Sequence, residues 1–360
     1  MSNRIDFLDG MRGLAILMVI GYHAFSRWPA LVPYGDSYQH VAIFKMGWLG
    51  VELFFLISGF VILMTLEKCD GIKTFVYRRW LRLFPGMLIC SLLVFASQGF
   101  FLERPAGQVD AIHLIPGLTF MEPDILGKIF GHSFESLEGA YWSLYVEFKF
   151  YIFAAIVYFV AGRNILVLSL LAVYVMSVVS EQLVGYSQFL PLVLAHKISV
   201  VMTFEYFGWF AAGACFYIYF KERQNSWFIY GCVISAVSSI FVRHFTAYDI
   251  VGAWIISAIF ALSLVSRLAQ RVLVARVFLF FGFISYPLYL IHENAMIAMI
   301  IKLGKLDAGY NGLLYPILPV LVLCAVAYVI AKYGERNIKL LLVSSIAKCK
   351  LVVLKQDKAV

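Results

Sequence analysis

Long apolar runs separated by short polar segments recur along the whole chain. Each run is close to the roughly 20 residues that an α-helix needs to cross a bilayer. Ten runs are present, at residues 8–26, 46–66, 84–102, 141–162, 165–183, 198–220, 227–243, 249–266, 277–301 and 313–333. Because lipid cannot satisfy exposed backbone polar groups, the runs predict helices. We therefore expect an all-α polytopic membrane protein with about ten transmembrane helices around a hydrated cavity.

Composition and charge agree with that class. Of the 360 residues, 62% are hydrophobic and 14% are charged, whereas soluble domains carry roughly 25% charged residues. The net charge of +8 is explained by an unequal distribution across the membrane, so we expect no nucleic-acid partner. With a cytoplasmic N-terminus, 20 Lys and Arg residues fall on the inner side and 8 on the outer side. This bias predicts that both termini are cytoplasmic.

The end of the chain differs from the rest. After residue 340 the sequence is basic and half apolar, which is typical of a segment on the inner membrane surface. We therefore predict a membrane-embedded domain over residues 1–340 and a basic cytoplasmic tail over residues 341–360. The six cysteines form no CxxC pair and most lie in apolar runs, so we expect neither a metal site nor a disulfide framework.

Two residues that are costly in a bilayer lie in the first apolar run. Arg12 and His23 are eleven positions apart, which places them within roughly 20° of one helical stripe and roughly 16 Å apart along it. An ionisable group inside a spanning helix is a functional candidate. The alternative is a hydrogen bond between helices that only stabilises the bundle. The shared stripe favours a groove with a cation at its mouth and an imidazole deep inside.

Further ionisable residues fall at a similar depth on the predicted topology. Glu52 and Glu147 lie in the outer halves of the second and fourth predicted spans, and His292 precedes Glu293 in the ninth. A carboxylate beside a histidine orients the ring and stabilises the imidazolium, as general-base catalysis requires. We therefore predict a shared cavity in which His23 takes a proton from a hydroxyl.

A basic cluster lies at the predicted inner end of the third span. Arg78 and Arg82 are one helical turn apart, and Arg79 lies between them in the sequence. Guanidinium groups suit the recognition of phosphates. Taken alone, the cluster is more typical of anchoring to anionic lipid in the inner leaflet.

Six segments in order resemble the motifs of the membrane-bound acyltransferase family 3, whose members O-acylate bacterial carbohydrates. The segments are LDGMRGLAILMVIGYH, GWLGVELFFLISGFVI, RRWLRLFP, WSLYVEFKFY, ISYPLYLIHE and YGERNIKL, and the resemblance extends from residue 5 to about residue 340. Phe148 and Lys149 replace the polar pair usual after the acid of the fourth motif, and Asn337 stands where a proline is common. The resemblance is to a stand-alone form without a fused soluble domain.

The resemblance implies acyl transfer from a cytoplasmic acyl-CoA, expected to be acetyl-CoA, to a hydroxyl of a surface polysaccharide or lipid-linked oligosaccharide. It assigns catalysis to the histidine of the first motif and donor binding to the arginines of the first and third. The expected residues are His23, Glu52 and Glu147 for catalysis, Arg12, Arg78, Arg79 and Arg82 for donor binding, and Tyr22, Tyr286, Tyr289 and His292 for substrate binding. Tyr22, Tyr286, Tyr289 and Ser58 are also candidates for stabilising the oxyanion.

The expected location is the bacterial inner membrane, with the lipid bilayer, acyl-CoA and a carbohydrate acceptor as partners and an association with polysaccharide-assembly proteins. Three alternatives remain open. The acceptor is a lipid, peptidoglycan or a small molecule; the protein is a proton-coupled secondary transporter, with Glu52, Glu147, Glu205 and His292 as a relay; or it is a scaffold for glycan-assembly enzymes. No inverted repeat is evident, which disfavours a transporter, and a scaffold leaves the costly Arg12 and His23 unexplained.

Overall fold

The computed structural model describes residues 5–186, 189–241, 246–306, 309 and 311–356. Over these residues the chain is helical and contains no β-strand. The α-helices are α1 (Asp6–Tyr22), α2 (Ala42–Lys45), α3 (Gly50–Leu66), α4 (Ile72–Ser97), α5 (Leu114–Thr119), α6 (Pro123–Phe130), α7 (Trp142–Leu183), α8 (Leu190–Met202), α9 (Phe207–Glu222), α10 (Asn225–Ile240), α11 (Ala247–Val265), α12 (Arg267–Leu273), α13 (Arg276–Lys305), α14 (Ile317–Val329) and α15 (Glu335–Gln356). The predicted all-α class is confirmed.

Six helical segments of the described chain are long and apolar enough to cross a membrane, and a seventh is obtained if the bent pair α8–α9 is one span. The protein is therefore a multi-pass membrane protein, and the described residues contain fewer segments that meet this criterion than the ten spans predicted. Helices α1 and α10 have 17 and 16 residues, fewer than the roughly 20 that a bilayer requires. Two predicted spans fall within α7, on either side of a break in its backbone. The predicted span 227–243 extends past the described residues at position 242.

Helix α7 contains one break in its backbone. Gly162 has φ 85° and ψ 178°, a conformation that residues with a side chain rarely adopt. The boundary between the predicted spans 141–162 and 165–183 lies at this glycine. Two helical segments therefore meet where the apolar pattern changes, although the turn between them is a single residue.

The chain forms two compact units. The first unit consists of Met1–Tyr77 and Ala140–Ser285, and the second consists of Arg78–Gly139 and Tyr286–Val360. Helices α4 and α13 each contribute residues to both units. Helix α15 crosses the predicted domain boundary at residue 340 without a break, and residues 357–360 of the predicted tail lie outside the described residues.

In the first unit, α3 and α9 pack backbone against backbone. A Cβ atom at Gly59 would lie 2.1 Å from the carbonyl oxygen of Phe210, and one at Gly213 would lie 2.1 Å from that of Leu56. Only glycine permits this approach, as at other small-residue interfaces between membrane helices. The ring of Phe150 stacks on Phe210 at 3.9 Å between centroids, which attaches α7 to the same core.

In the second unit, the part of α4 after Tyr77 packs against the part of α13 that begins at Tyr286. A Cβ atom at Gly86 would lie 2.7 Å from a ring carbon of Tyr286. Each helix contains a proline, Pro85 in α4 and Pro287 in α13, and a proline supplies no backbone N–H for the helical ladder. Both helices therefore have a local interruption beside their contact.

Candidate active site

Helix α1 carries two of the predicted site residues and is held through its backbone. A Cβ atom at Gly282 of α13 would lie 1.9 Å from the carbonyl oxygen of Asp9, and one at Gly50 of α3 would lie 2.4 Å from that of Ala15. These approaches exclude any side chain at either glycine. The position of α1 within the first unit is therefore fixed on two sides, and so are the positions from which its ionisable side chains extend.

The guanidinium of Arg12 is paired with an acid on its own helix. Its Nη1 lies 2.8 Å from Oδ1 of Asp9, and the Arg12 and Asp9 side chains are 28% and 10% exposed. The largely buried aspartate orients the guanidinium and leaves part of it accessible. A fixed and partly exposed guanidinium can bind a phosphate with little further loss of side-chain entropy.

The imidazole of His23 is oriented by the backbone of its own helix. Its Nδ1 lies 3.0 Å from the carbonyl oxygen of Val19. A carbonyl oxygen only accepts hydrogen bonds, so Nδ1 carries the proton and Nε2 is the nitrogen that can accept one. The side chain is partly exposed, and its ring meets that of Tyr22 edge to face at 5.2 Å. In this arrangement a carbonyl performs the orienting role that was expected of a carboxylate, and the predicted role of His23 as a base stays a prediction.

His23 also begins a change in helix type. Residues His23–Arg27 form a π-helical turn directly after α1. Single π-turns inside helices occur frequently at functional sites, because the extra residue re-aims the side chains around it. The hydroxyl of Tyr34 donates to the carbonyl of Ala24, so the loop that follows supports a carbonyl within this turn.

Glu52 is a buried acid without a hydrogen-bonding partner. Its side chain lies in the first turn of α3 and is 1% exposed. Neither carboxylate oxygen has a hydrogen-bond partner among the described residues. Burial of an uncompensated carboxyl is costly, so its retention inside a spanning helix is typical of a functional group.

Glu147 is held by a serine of α3. The hydroxyl of Ser58 donates to Oε1 of Glu147 at 2.6 Å, which joins α3 to α7 in the first unit. The prediction that Ser58 is free to stabilise an oxyanion is weakened, because its one hydroxyl proton is already donated. Ser58 is instead arranged to position the carboxylate of Glu147.

In the second unit, Arg82 belongs to a small polar cluster. Its Nη1 lies 3.4 Å from Oε2 of Glu335, its side chain is 54% exposed, and its guanidinium lies 5.8 Å from the ring centre of Tyr286. The Tyr286 hydroxyl donates to the carbonyl of Leu83 at 2.8 Å. The cluster holds one guanidinium at the surface of the unit, in an orientation that leaves it open to an anion.

The other two arginines of the motif differ in exposure. Arg78 is exposed, whereas Arg79 is partly buried. Arg78 and Arg82 follow the i, i+4 spacing on the continuous helix α4, so they share one face, as predicted. Two exposed guanidinium groups on one helical face can contact the phosphates of a single nucleotide.

His292 is also tied to its own helix, but it is inaccessible. Its Nδ1 lies 2.9 Å from the carbonyl oxygen of Tyr289, and the residue is 0% exposed. The ring of Tyr289 packs against it at 5.7 Å between centroids. Both residues were predicted to bind substrate, and their burial favours a role in shaping the second unit.

Two polar groups escaped the sequence analysis. In the first unit, Asp249 is 4% exposed and accepts from Nε1 of Trp48 at 3.2 Å. The sequence signal was available, since Thr246 and Asp249 form a capping box at the start of α11. In the second unit, Glu335 pairs with Arg82, and its place in the YGERNIKL segment was the signal that could have found it.

A third missed group joins the segment after α4 to α13. Oε2 of Glu138 accepts from Asn294 through its backbone N–H at 3.0 Å and its Nδ2 at 2.8 Å. Nη2 of Arg104 donates to the carbonyl of Leu137 at 2.5 Å. Burial and the negative charge of Glu293 raise the pKa of Glu138 to about 8. Nothing in the local sequence pattern indicates this cluster, because its members are far apart in the chain.

The predicted site residues are thus divided between the two units. His23, Glu52, Glu147, Arg12 and Tyr22 lie in the first unit, and Arg78, Arg79, Arg82, Tyr286, Tyr289 and His292 lie in the second. Within the first unit, α3 carries Glu52 and also holds Glu147 through Ser58. Among the described residues, no group of three or more His, Cys, Asp and Glu side chains is placed to hold a metal ion.

Comparison with known proteins assigns a family. The acyltransferase family 3 profile, described as an acyltransferase domain, matches residues 5–332. An O-acetyl transferase of Shigella phage Sf6 is 25% identical over 158 residues, which cover 43% of this chain and 46% of that protein. Acyltransferase MdmB of Streptomyces mycarofaciens is 31% identical over 160 residues, which cover 41% of this chain and 38% of that protein.

The aligned segments therefore span less than half of each of these relatives. No solved structure matches the chain significantly. The profile match nevertheless covers most of the chain and includes the first five of the six motif segments in full. The chain belongs to the acyltransferase 3 family of enzymes.

Proposed function

We propose that the protein is a membrane-bound O-acyltransferase that moves an acetyl group from acetyl-CoA to a hydroxyl of a carbohydrate. The acceptor in this proposal is a surface polysaccharide or its lipid-linked precursor, modified at the outer face of a bacterial inner membrane. The observation that carries the proposal is the hydrogen bond between Nδ1 of His23 and the carbonyl oxygen of Val19. This bond places the proton on Nδ1 and leaves Nε2 as the basic nitrogen. The name of the phage relative supports acetyl as the transferred group.

In this mechanism His23 acts directly on the acceptor. Nε2 removes the proton of the acceptor hydroxyl while its oxygen attacks the thioester carbonyl carbon. The C–S bond then breaks, the thiolate of CoA leaves, and the imidazolium returns its proton to that sulfur. The products are an acetyl ester and free CoA, so atoms and charge balance, and His23 is restored as a neutral base. The hydrogen bond from Nδ1 to Val19 stabilises the imidazolium formed in between.

The donor is assigned to the arginines. Arg78 and Arg82 share an accessible helical face and suit the phosphates of the nucleotide part of CoA, and Arg79 adds positive charge to the same turn. Arg12, oriented by Asp9, contributes a fixed cation on the helix that carries the base. Acyl-CoA is made in the cytoplasm, so these groups are proposed to face inward, in keeping with the distribution of Lys and Arg.

The tyrosines are assigned by what their hydroxyls already do. The hydroxyls of Ser58 and Tyr286 donate to Glu147 and to a carbonyl of α4. Tyr22 lies directly beside the imidazole of His23, and it is therefore favoured as the residue that contacts the acceptor or the oxyanion.

The proposal is tested by mass spectrometry of surface glycans from host cells with and without this gene. We expect the loss of one acetyl unit per modified sugar in the deletion strain. Re-expression of the wild type should restore the modification, whereas His23→Gln at equal protein level should not. Glycans that are identical in all four strains would refute the carbohydrate acceptor.

A second measurement tests the donor independently. Purified protein in nanodiscs should bind acetyl-CoA, and Arg82→Gln should weaken that binding by about tenfold, the value of one charge-assisted phosphate contact. An unchanged affinity in Arg82→Gln would remove this arginine from the donor site.

A further inference from the structure

The first unit contains a polar cavity that is lined by none of the residues predicted for catalysis, donor binding or substrate binding. Its volume is about 420 Å³, and it is bordered by the C-terminal turns of α7 and α10, by α8 and by the turn between α8 and α9. The polar residues around it are Ser177, Glu181, Gln182, His196, Ser199, Glu205 and Tyr206. The volume falls in the roughly 300–1,000 Å³ range of small-molecule sites.

The cavity exists because the chain bends sharply beside it. Thr203 adopts the left-handed conformation, with φ 54° and ψ 41°, and α8 and the segment Phe204–Glu222 meet at an angle of 73°. A left-handed threonine is unfavourable, because its branched side chain crowds the backbone. The bend turns Ser199 and Tyr206, which lie on opposite sides of it, toward the same space.

One hydroxyl in the cavity has no hydrogen-bond partner in the part of the chain that the structure describes. Ser199 is 3% exposed, and its Oγ has no hydrogen-bond partner among the described residues. A buried serine in a helix ordinarily donates to a carbonyl of the preceding turn, as Ser257 does to Ala253 at 2.8 Å. Leaving a buried hydroxyl unsatisfied is costly, which indicates that a group from outside the chain completes the site.

The lining selects the chemistry of that group. Glu181 and Glu205 are acidic, and Nδ1 of His196 lies 3.5 Å from Oε2 of Glu181. Two carboxylates disfavour an anion, while carboxylate and amide oxygens accept hydrogen bonds from hydroxyl groups. Tyr206 adds an aromatic ring, which can pack against the apolar C–H face of a sugar ring.

The cavity borders the region of the proposed chemistry within the same unit. The ring of Tyr206 lies 5.4 Å from that of Phe55, between centroids, and Phe55 is three residues after Glu52 on α3. On the predicted topology, the contributing helix ends all lie on the outer side, where the acceptor arrives.

We propose that this cavity binds an uncharged sugar residue of the acceptor, with Ser199 and Gln182 as hydrogen-bonding groups and Tyr206 as the stacking surface. The inference rests on the proposed function, because it supplies the acceptor site for that reaction. Ser199, Gln182 and Tyr206 lie outside the six motif segments of the sequence.

The test measures glycoside binding without any acyl donor. Saturation-transfer-difference NMR is recorded on the full-length protein in nanodiscs with methyl α-D-glucopyranoside, methyl β-D-galactopyranoside and methyl N-acetyl-β-D-glucosaminide as probes. The wild type is expected to bind at least one of them and to bind methyl β-D-glucuronide more weakly. Ser199→Ala and Gln182→Leu should each lower the affinity for the glycoside that the wild type binds by about tenfold, which is the effect of losing one buried hydrogen bond.

Two variants serve as controls. Ser199→Thr keeps a hydroxyl and should bind more tightly than Ser199→Ala. Ser257→Ala removes a buried hydroxyl outside the cavity and should leave binding at the wild-type level. Failure of the wild type to bind any of the three neutral glycosides, or equal binding by the wild type, Ser199→Ala and Gln182→Leu, would overturn the proposal.

The two proposals fail in different ways. Normal glycan acetylation in cells that carry Ser199→Ala or Gln182→Leu would refute the sugar site and leave the acyltransferase function standing. Selective loss of glycoside binding in these variants, together with no acetyl-CoA binding by the wild type, would support the sugar site and refute the acyl donor.

Discussion

The two units each contain a histidine tied through Nδ1 to a carbonyl of its own helix, yet the two side chains differ in what they can do. His23 of the first unit is partly exposed and starts a π-helical turn, whereas His292 of the second is completely buried within α13. The same hydrogen bond fixes the same tautomer in both. Only the accessible ring can meet a substrate, so accessibility, more than ring orientation, separates a candidate base from a packing residue.

The units also differ in how their helices are held. In the first unit, glycines bring backbones together, as at Gly282 against Asp9 and Gly59 against Phe210. In the second, buried side chains make the connections, as in the group formed by Glu138 and Asn294. Backbone contact gives a rigid frame around His23. In the second unit, one of the side chains that connect the helices, Glu138, is itself titratable.

The largest difference is expected in catalysis. His23→Gln removes the proton acceptor and should lower kcat/KM for acetyl transfer by about 10³-fold, within the range for loss of a general base. His292→Gln should lower it by less than about tenfold, because a buried ring acts only through packing. Both are measured with purified protein at matched folded fractions.

An equal loss in the two histidine variants would break the comparison between the units. A further readout is the pH profile of kcat/KM. It should lose its acidic limb in His23→Gln and keep it in His292→Gln.

The second unit should lose stability as pH rises, because Glu138 has a raised pKa of about 8 that reflects its burial and the charge of Glu293. Between the ordinary carboxyl pKa and this value, the folded state holds a proton that the unfolded state has released. The contribution of this proton to stability is therefore full in acid and declines through this window, by about 1.4 kcal/mol for each pH unit. Thermal unfolding in detergent, followed from about pH 5 to about pH 9, measures the slope.

Glu138→Gln is the matched variant for that slope. It keeps the hydrogen bond from Asn294 and cannot ionise, so its melting temperature should depend less on pH in this window. A slope equal to that of the wild type would assign the titration to another group.

Glycine replacements compare the two kinds of packing. Gly282→Ala places a Cβ atom 1.9 Å from a backbone oxygen, and we expect a destabilisation of about 3 kcal/mol. Gly139→Ala in the second unit meets the carboxylate of Glu293 at 2.8 Å, a side chain that can move, so about 1 kcal/mol is expected. Gly71→Ala, which has no neighbour within 4 Å, is the control, and thermal unfolding is the measurement.

The smallest effect concerns the acids that hold the arginines. Asp9→Asn removes the charged partner of Arg12, and Glu335→Gln removes the charged partner of Arg82. The pair with Asp9 is shorter and less exposed than the pair with Glu335. Exposed pairs contribute at most about 1 kcal/mol. The KM for acetyl-CoA should therefore rise about fivefold in Asp9→Asn and about twofold in Glu335→Gln. The reverse order would show that the second unit contributes the tighter donor contact.

Several features were predictable because they depend on local sequence. The apolar runs predicted the helical class, and the boundary between two of the predicted spans lies at the break at Gly162. The spacing of Arg78 and Arg82 predicted their common face on α4. Fewer described segments meet the length criterion for a span than the ten that hydropathy predicted, since hydropathy does not register that α1 and α10 are short.

Contacts between distant segments were not predictable. The partner of Glu147 is Ser58, 89 positions away, and the partner of Glu138 is Asn294, 156 positions away. No periodicity of the chain encodes such pairs, because they depend on which helix faces meet. The cavity beside Ser199 was missed for the same reason.

The sequence by itself determined that this chain is a helical membrane protein of an acyltransferase family with a candidate base at His23. These properties follow from hydropathy, charge bias and motif order, all of which are read along one dimension. Only the tertiary structure decided that a carbonyl orients that base, that Glu52 is buried without a hydrogen bond from the described residues, and that a bend at Thr203 opens a polar cavity. Burial and hydrogen-bond satisfaction depend on neighbours in space, and only packing specifies those neighbours.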